Sequence, residues 1–172
     1  MKKFLLLALG YILASMSVLA EEASITFSEQ GYTNAQLITE CSLGNGVVII
    51  FNKGIGGTAP TYYDTGTALR LYSNNTMTVT VPENGTINSV VMTTPAPEKK
   101  EDHSFNNECS VSSGILSLSS NNTKATIKGV EGNVVTLTGE FSSGHIRLLT
   151  VTVTYTMPTE HVPSPSLPES CE

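Results

Sequence analysis

Short runs of alternating apolar and polar residues recur from residue 24 to residue 156, and turn-forming residues separate one run from the next. Successive side chains of a strand point to opposite faces, so this period of two is typical of half-buried strands. The composition agrees, because charged residues make up only 14% of the chain, while Thr, Ser, Asn, Gly and Val are frequent. The predicted strands span residues 24–28, 47–51, 68–72, 76–81, 86–93, 115–119, 125–128, 134–138 and 145–155. Strands at this close spacing predict an all-β fold, either a sandwich or a barrel.

Four segments carry more specific expectations. Residues 31–41 are the best candidate for a helix, with an irregular crossing as the alternative, because Thr and Asn are poor helix formers. Residues 47–51 are continuously apolar, which predicts a strand buried on both faces. Residues 68–81 hold two strands around Asn74, which predicts a hairpin because Asn tolerates a positive φ. Residues 145–155 predict one long final strand.

The N-terminus has the pattern of a secretory signal peptide. Lys2 and Lys3 form a positively charged start, residues 4–13 are almost entirely apolar, and Ala20 ends a stretch suited to cleavage. The apolar run is shorter than the roughly 20 residues that span a bilayer, which argues against a membrane anchor. We therefore expect residues 1–20 to be removed and the mature chain to be exported to the periplasm, the cell surface or the medium.

The mature chain divides into a domain and a tail. Residues 21–156 contain all the predicted strands and are enough for a single core. Residues 157–172 hold four prolines among Ser, Thr and Glu, which predicts a disordered tail.

The chain has three cysteines, an odd number. Cys41 and Cys109 lie within the domain and are candidates for a disulfide in an oxidising compartment, which would leave Cys171 unpaired in the tail. Three unpaired cysteines are the open alternative.

Several classes of function lack support. The formal net charge is −6 and becomes more negative when the leader is removed, which disfavours nucleic-acid binding. His103, His145 and His161 have no metal-ligand spacing and are interpreted as solvated histidines, so no metal is predicted. No cofactor fingerprint or nucleophile motif is present, so no cofactor or catalytic residue is predicted. Oxygen ligands in residues 101–108 leave a bound Ca²⁺ as an alternative.

Residues 60–72 hold the most concentrated set of side chains suited to binding. Tyrosines in a Gly-rich loop can stack on a sugar, while Asp and Arg supply directional hydrogen bonds. The competing interpretation is a packed loop whose tyrosines cap the core and whose arginine pairs with a nearby acid; the absence of Trp counts against a flat sugar platform. The predicted ligand-binding residues are Tyr62, Tyr63, Asp64, Arg70 and Tyr72.

A wider pattern surrounds these residues. It comprises Pro60, Tyr62, Tyr63, Gly66, Ala68, Arg70, Leu71, Tyr72 and residues 76–79, with similar strands at 25–28, 87–91 and 146–155. The pattern resembles a β-sandwich module of secreted and surface proteins from Bacteroidetes, over most of residues 24–156. This resemblance implies a jelly-roll-like sandwich and an envelope or extracellular location. The role of that module is largely uncharacterised, so no catalytic residues carry over, and the three cysteines depart from the pattern.

Together these observations predict a secreted, single-domain, jelly-roll-like antiparallel β-sandwich. We expect a non-enzymatic binding or adhesion module, with a glycan or a surface protein as its partner and no transmembrane segment after cleavage of the leader. One alternative is a structural component of the cell envelope that assembles through strand edges. Another is a small hydrolase whose site is too dispersed to read from the sequence.

Overall fold

The alternating runs form strands in the computed structural model, which describes residues 19–96, 103–105 and 108–158. Strands and one short 3₁₀ turn, Phe27–Glu29, are the regular elements of this part of the chain. The strands are β1 (Leu19–Thr26), β2 (Gln36–Leu37), β3 (Glu40–Gly44), β4 (Val47–Asn52), β5 (Thr61–Tyr63), β6 (Ala68–Tyr72), β7 (Thr76–Thr80), β8 (Thr86–Thr93), β9 (Cys109–Val111), β10 (Ile115–Leu118), β11 (Lys124–Lys128), β12 (Val134–Gly139), β13 (His145–Leu148) and β14 (Thr150–Met157). The predicted all-β fold is confirmed.

The strands divide among three antiparallel sheets. The first sheet has the order β1-β14-β8-β11-β10, the second β3-β4-β7-β12-β9, and the third β13-β6-β5-β2. Every pairing is antiparallel, as expected for a sandwich. The predicted jelly-roll order is not confirmed, because the strands form three sheets rather than two.

One apolar core joins the three sheets. In β14, Val151, Val153 and Tyr155 are buried, and the threonines between them lie on the other face. The 3₁₀ turn after β1 places Phe27 in the core, where its ring packs edge-on against Phe51 of β4 at 6.0 Å between ring centroids. Apolar side chains from all three sheets therefore share one interior.

Two local predictions need correction. Residues 31–41 form no helix; they follow the alternative of an irregular crossing, which contains the short strand β2 and ends in the first residues of β3. The expectation that residues 47–51 are buried on both faces is wrong, because Val47 and Ile49 face the core while Ile50 is 45% exposed. This strand is half-buried despite its continuous apolar sequence.

The predicted hairpin over residues 68–81 is wrong in its pairing. Its two strands have almost the predicted bounds, but β6 belongs to the third sheet and β7 to the second. Asn74 does adopt a positive φ of 61°. The next residue, Asn75, is 1% exposed, accepts a hydrogen bond from the Tyr72 N–H at 2.9 Å and donates to the carbonyls of Lys53 and Thr58. These bonds fix the chain where it leaves one sheet for another.

The predicted long strand over residues 145–155 is also interrupted. β13 belongs to the third sheet and β14 to the first, with Leu149 between them. The Leu149 N–H donates to the Thr93 carbonyl at 2.9 Å, and its own carbonyl accepts the Phe27 N–H at 3.0 Å. Its backbone groups are thus satisfied at a corner, as buried backbone requires.

The predicted disulfide between Cys41 and Cys109 is wrong. Cys41 lies on β3 and Cys109 on β9, at opposite edges of the second sheet with three strands between them. Strands are spaced by about 4.8 Å, so the two are about 19 Å apart, far beyond the reach of a disulfide. The buried Cys41 thiol instead contacts the Tyr32 hydroxyl at 3.2 Å, and burial raises the pKa of both groups.

The ends of the chain lie mostly outside the described residues. Residues 1–18 of the predicted leader, residues 159–172 of the predicted tail and residues 101, 102, 106 and 107 of the possible Ca²⁺ loop belong there, as does Cys171. Met157, which the sequence placed in the tail, is the last residue of β14 and pairs with Leu19 of β1. Within the described ranges, no helix has the length and apolar character needed to cross a membrane.

Candidate binding face on the third sheet

The two faces of the third sheet differ in chemistry. Leu69 and Leu71 of β6, with Ile146 and Leu148 of β13, are buried in the core. The residues that alternate with them point to the opposite side. Five of these side chains are half-buried, and we call them the Tyr/Arg face: Tyr63 of β5, Arg70 and Tyr72 of β6, and His145 and Arg147 of β13.

Strand register brings the members of this face together. His145 lies directly opposite Tyr72, and Arg147 directly opposite Arg70. Tyr63 is opposite Ala68, which places it diagonally beside Arg70. Three strands therefore contribute to one patch on a hydrogen-bonded sheet.

Only some of the predicted ligand-binding residues lie on this face. Tyr63, Arg70 and Tyr72 lie together on the face. Tyr62 does not, because it alternates into the core, is 4% exposed and packs against the ring of Tyr32 at 5.6 Å. The prediction that Tyr62 contributes to the site is therefore wrong.

Asp64 lies at the margin of the face, in the turn between β5 and β6. Its side chain is exposed. Its backbone N–H donates to the Asn34 side chain at 3.3 Å, and its carbonyl accepts the Thr67 N–H at 3.0 Å. These bonds hold the turn, and the carboxylate remains in contact with solvent.

Arg70 is held by aromatic neighbours. Its guanidinium carbon lies 4.0 Å from the centroid of the Tyr63 ring, in a cation–π arrangement. The Tyr72 hydroxyl lies close to the Tyr63 hydroxyl and to the Arg70 guanidinium. Burial raises the pKa of Tyr72, and the neighbouring Tyr63 hydroxyl adds to this increase. Among the described residues Arg70 has no salt bridge, and its buried Nε lacks a hydrogen-bond partner, so the predicted pairing with a nearby acid does not occur there.

His145 and Arg147 of β13 belong to this face and His103 lies beside them, and the sequence reasoning missed all three. The rings of His103 and His145 stack with centroids 4.2 Å apart, and the His145 ring also contacts Tyr72 at 5.4 Å. The Arg147 Nε–H donates to His145 Nε2 at 3.3 Å, which requires a lone pair on that nitrogen. His103 and His145 are thus half-buried members of a cluster, and their interpretation as solvated histidines is wrong. Their separation in the sequence hid this cluster, although the spacing of His145 and Arg147 in a predicted strand indicated that they share a face.

The surrounding backbone shapes the patch. The His103 carbonyl accepts the Arg147 N–H at 3.0 Å, which attaches His103 to the edge of β13. The Arg147 side chain extends over Gly66, where an added Cβ would lie 3.4 Å from the guanidinium. Gly66 also has a φ of +86°, a conformation that favours glycine. The Gly66 turn therefore leaves room for Arg147.

The chemistry of the face is that of a hydrogen-bond donor surface. Two guanidinium groups, two phenols and an imidazole lie half-buried on the side of the sheet away from Leu69 and Leu71, and the guanidinium groups remain charged at any physiological pH. Within the described residues, no group of three or more His, Cys, Asp or Glu is placed to hold a metal ion. The arrangement can orient a polar or anionic ligand by hydrogen bonds.

No protein-family model matches the sequence, and no curated protein sequence matches it significantly. The candidate function therefore depends on the residues of the Tyr/Arg face.

Proposed function

We propose that this chain is an exported, non-enzymatic binding module that recognises a glycan through the Tyr/Arg face. The observation that carries the proposal is the fixed position of Arg70, which stacks on Tyr63 and lies beside the Tyr72 hydroxyl. A binding group whose conformation is already restricted loses little entropy when a ligand arrives. Carbohydrates offer the dense hydroxyl groups that such donors and acceptors bind.

The geometry favours recognition by hydrogen bonds over stacking on a flat aromatic platform. One face of the Tyr63 ring is covered by the Arg70 guanidinium, and the Tyr72 ring packs at an angle of 47° against His145. A sugar then binds through hydrogen bonds between its hydroxyl groups and the polar groups at the edges of the Tyr63 and Tyr72 rings. This differs from the stacking that the tyrosines suggested in the sequence.

A glycan array tests the proposal. The full chain, purified after export, is applied beside its Tyr63→Ala and Arg70→Ala variants and a Lys128→Ala control. Lys128 is an exposed residue of β11 in the first sheet, away from the face. We expect a glycan that binds the wild-type chain and the control but binds both face variants at least about tenfold more weakly. Absence of binding to every glycan would reject the proposal.

A structural role in the envelope is the second candidate, and β1 is the observation that favours it. This strand spans Leu19–Thr26, of which residues 21–26 belong to the predicted mature chain, and among the described strands it pairs only with β14. An unpaired edge of this length is a template for association with another chain. Sedimentation velocity over a concentration series distinguishes the two candidates: a species that grows with concentration supports edge assembly, and a monomer throughout rejects it.

The remaining alternative, a small hydrolase, needs catalytic groups that converge at one place in the structure. The side chains that converge on the Tyr/Arg face are tyrosines, arginines and histidines, which supply hydrogen bonds and positive charge. Incubating the chain with any glycan that it binds and analysing the products by mass spectrometry tests this alternative, and we expect the glycan to be recovered intact.

A further inference from the structure

We infer that the glycan site extends beyond the Tyr/Arg face onto two turns at its margin, and that these turns select a neutral sugar by its hydroxyl groups. The turns span residues 33–36 and 64–67, and we call them together the rim. This inference rests on the proposed function, adds residues to its site and names the class of its ligand. It comes from two residues whose backbone conformation disfavours their side chains.

The rim holds the two non-glycine residues that are least suited to a positive φ. Five described residues other than glycine have a positive φ, and three of them are asparagines, which tolerate this region: Asn45, Asn74 and Asn122. The other two are Ala35, with a φ of 62°, and Thr67, with a φ of 46°. A β-branched residue such as Thr67 rarely adopts this conformation. One of these two exceptions lies in each turn of the rim.

Contacts join the two turns to each other and to the Tyr/Arg face. The Asn34 side chain accepts a hydrogen bond from the Asp64 N–H at 3.3 Å, across the two turns. The second turn connects β5 to β6 directly after Tyr63, and the Arg147 side chain lies over its Gly66. The strained residues are therefore grouped at one margin of the candidate site.

The fold does not compensate for the strain at these positions. Ala35 and Thr67 are both exposed, and the Thr67 hydroxyl makes no hydrogen bond to another residue of the described chain. Glycine would adopt either conformation without strain and would keep the backbone hydrogen bonds of the turns. Strained backbone conformations are concentrated at ligand-binding sites, where they form part of the site. The two side chains therefore serve contact with a ligand rather than stability.

Asp64 gives the rim its chemistry. Its carboxylate is exposed, and within the described part of the chain it forms no ion pair or hydrogen bond. An ionised carboxylate only accepts hydrogen bonds, and its two oxygens match two neighbouring sugar hydroxyls. Arg70, stacked on Tyr63, supplies donors from the adjoining face. A neutral sugar across rim and face meets acceptors and donors, whereas an acidic saccharide places a second negative charge beside Asp64.

Affinity electrophoresis of the full chain tests the ligand class. The native gels contain a mannan, a xyloglucan or dextran as neutral polymers, or polygalacturonate as an acidic polymer. We expect at least one neutral polymer to retard the chain and polygalacturonate to leave its mobility unchanged. Asp64→Asn keeps the shape of the side chain but removes its charge. This variant should bind the neutral polymer about tenfold more weakly, because a neutral amide replaces a charged acceptor.

The strained residues give the decisive comparison, because their effects on stability and on binding have opposite signs. Thr67→Gly and Ala35→Gly relieve the positive φ and should each raise the midpoint of thermal unfolding, followed by circular dichroism, by about 1–4 °C. Each also removes a ligand contact and should weaken binding by roughly three- to tenfold. Binding is measured with the neutral polymer, or the neutral array glycan, that the wild-type chain binds.

Two further variants serve as controls. Thr67→Asn tolerates the conformation and keeps a polar side chain, so its loss of affinity should be smaller than that of Thr67→Gly. Asn45→Gly makes a matched change at a positive φ in the turn between β3 and β4 of the second sheet, and it should leave binding unchanged.

Three results would overturn the inference. Glycine variants that are more stable but bind like the wild type would show that the strain serves no ligand, while the proposed function stands. Glycine variants that gain no stability would show that the rim is not strained. Binding of polygalacturonate in place of a neutral glycan, lost in Tyr63→Ala, would make the ligand class wrong and leave the proposed function intact. Binding of no glycan, on the gels or the array, rejects both.

Discussion

Asn75 has a larger structural role than its place in a predicted turn indicated. Its buried side chain makes hydrogen bonds to the backbone of Lys53, Thr58 and Tyr72, all at the point where the chain crosses from the third sheet to the second. A buried amide that satisfies three backbone groups is hard to replace, because its removal leaves those groups desolvated and unpaired.

We therefore expect Asn75→Ala to lower the free energy of unfolding by about 2–4 kcal/mol. Urea denaturation followed by circular dichroism measures this change. Asn88→Ala, at an exposed position of β8, is the matched control and should stay within about 0.5 kcal/mol of the wild type. Equal stability of the two variants would show that the Asn75 bonds do not fix the crossing.

The environment of Tyr155 makes the free energy of unfolding depend on pH. Its buried hydroxyl donates to Glu21 Oε2 at 2.7 Å, and burial, followed by this hydrogen bond, raises the pKa of Tyr155 to about 12. An unfolded tyrosine loses its proton near pH 10, so between pH 10 and 12 only the unfolded chain releases it. The raised pKa thus leaves stability unchanged below pH 10 and lowers it as the pH rises through this window.

We expect this residue to lower the free energy of unfolding by roughly 1.4 kcal/mol per pH unit between pH 10 and 12. Tyr155→Phe should be less stable than the wild type at pH 8, and the difference should shrink as the pH is raised. Urea denaturation at pH 8, 10 and 11.5 gives the comparison, in which other tyrosines contribute equally to both chains. A difference that is constant with pH would contradict the assigned pKa.

At the scale of the strands, the sequence predicted where strands lie better than which strands pair. The bounds of β8 match the prediction, because a strand is a local pattern of alternating residues. The supposed hairpin over residues 68–81 and the single strand over residues 145–155 both span corners between sheets. Such a corner depends on distant hydrogen bonds, as at Leu149 with Thr93, and these leave no local pattern.

The candidate site was also predictable only where its residues are close together in the sequence. Tyr63, Arg70 and Tyr72 are close in sequence, on consecutive strands, and the sequence identified them together. His145 and Arg147 join the face because β13 pairs with β6, and this pairing cannot be read from the pattern of a single strand. Tyr62 was misassigned because a strand through adjacent tyrosines must turn one of them into the core.

The pairing of β6 with β13 predicts a repulsive energy between its two arginines. A double-mutant cycle with Arg70→Gln, Arg147→Gln and the double variant isolates this term. We expect an unfavourable coupling of roughly 0.2–1 kcal/mol in the absence of ligand, which decreases when salt is raised from about 0.05 to 0.5 M. An attractive or salt-independent coupling, measured by urea denaturation, would show that the pair does not strain the sheet.

At the scale of the whole molecule, the two ends of the domain are joined along one edge. β1 pairs over its full length with β14, from Leu19 with Met157 to Thr26 with Thr150. Ala23 and Ile25 of β1 contribute to the core, and the bond between Glu21 and Tyr155 adds a polar contact. The first strand therefore covers β14, which would otherwise become an exposed edge.

Two shortened chains test whether this strand is needed for the fold. A chain of residues 21–172, which begins at the predicted mature terminus, keeps Ala23, Ile25 and the Glu21 bond and should unfold cooperatively. A chain of residues 27–172 loses two buried aliphatic side chains and the ladder with β14, so we expect a loss of at least about 3 kcal/mol or aggregation. Adding a synthetic peptide of residues 19–26 should restore solubility and the thermal transition, because the vacated edge of β14 can pair with it again. A 27–172 chain as stable as the 21–172 chain would show that the domain closes without β1. A destabilised 27–172 chain that the peptide does not rescue would show that pairing with β14 is not how β1 stabilises the domain.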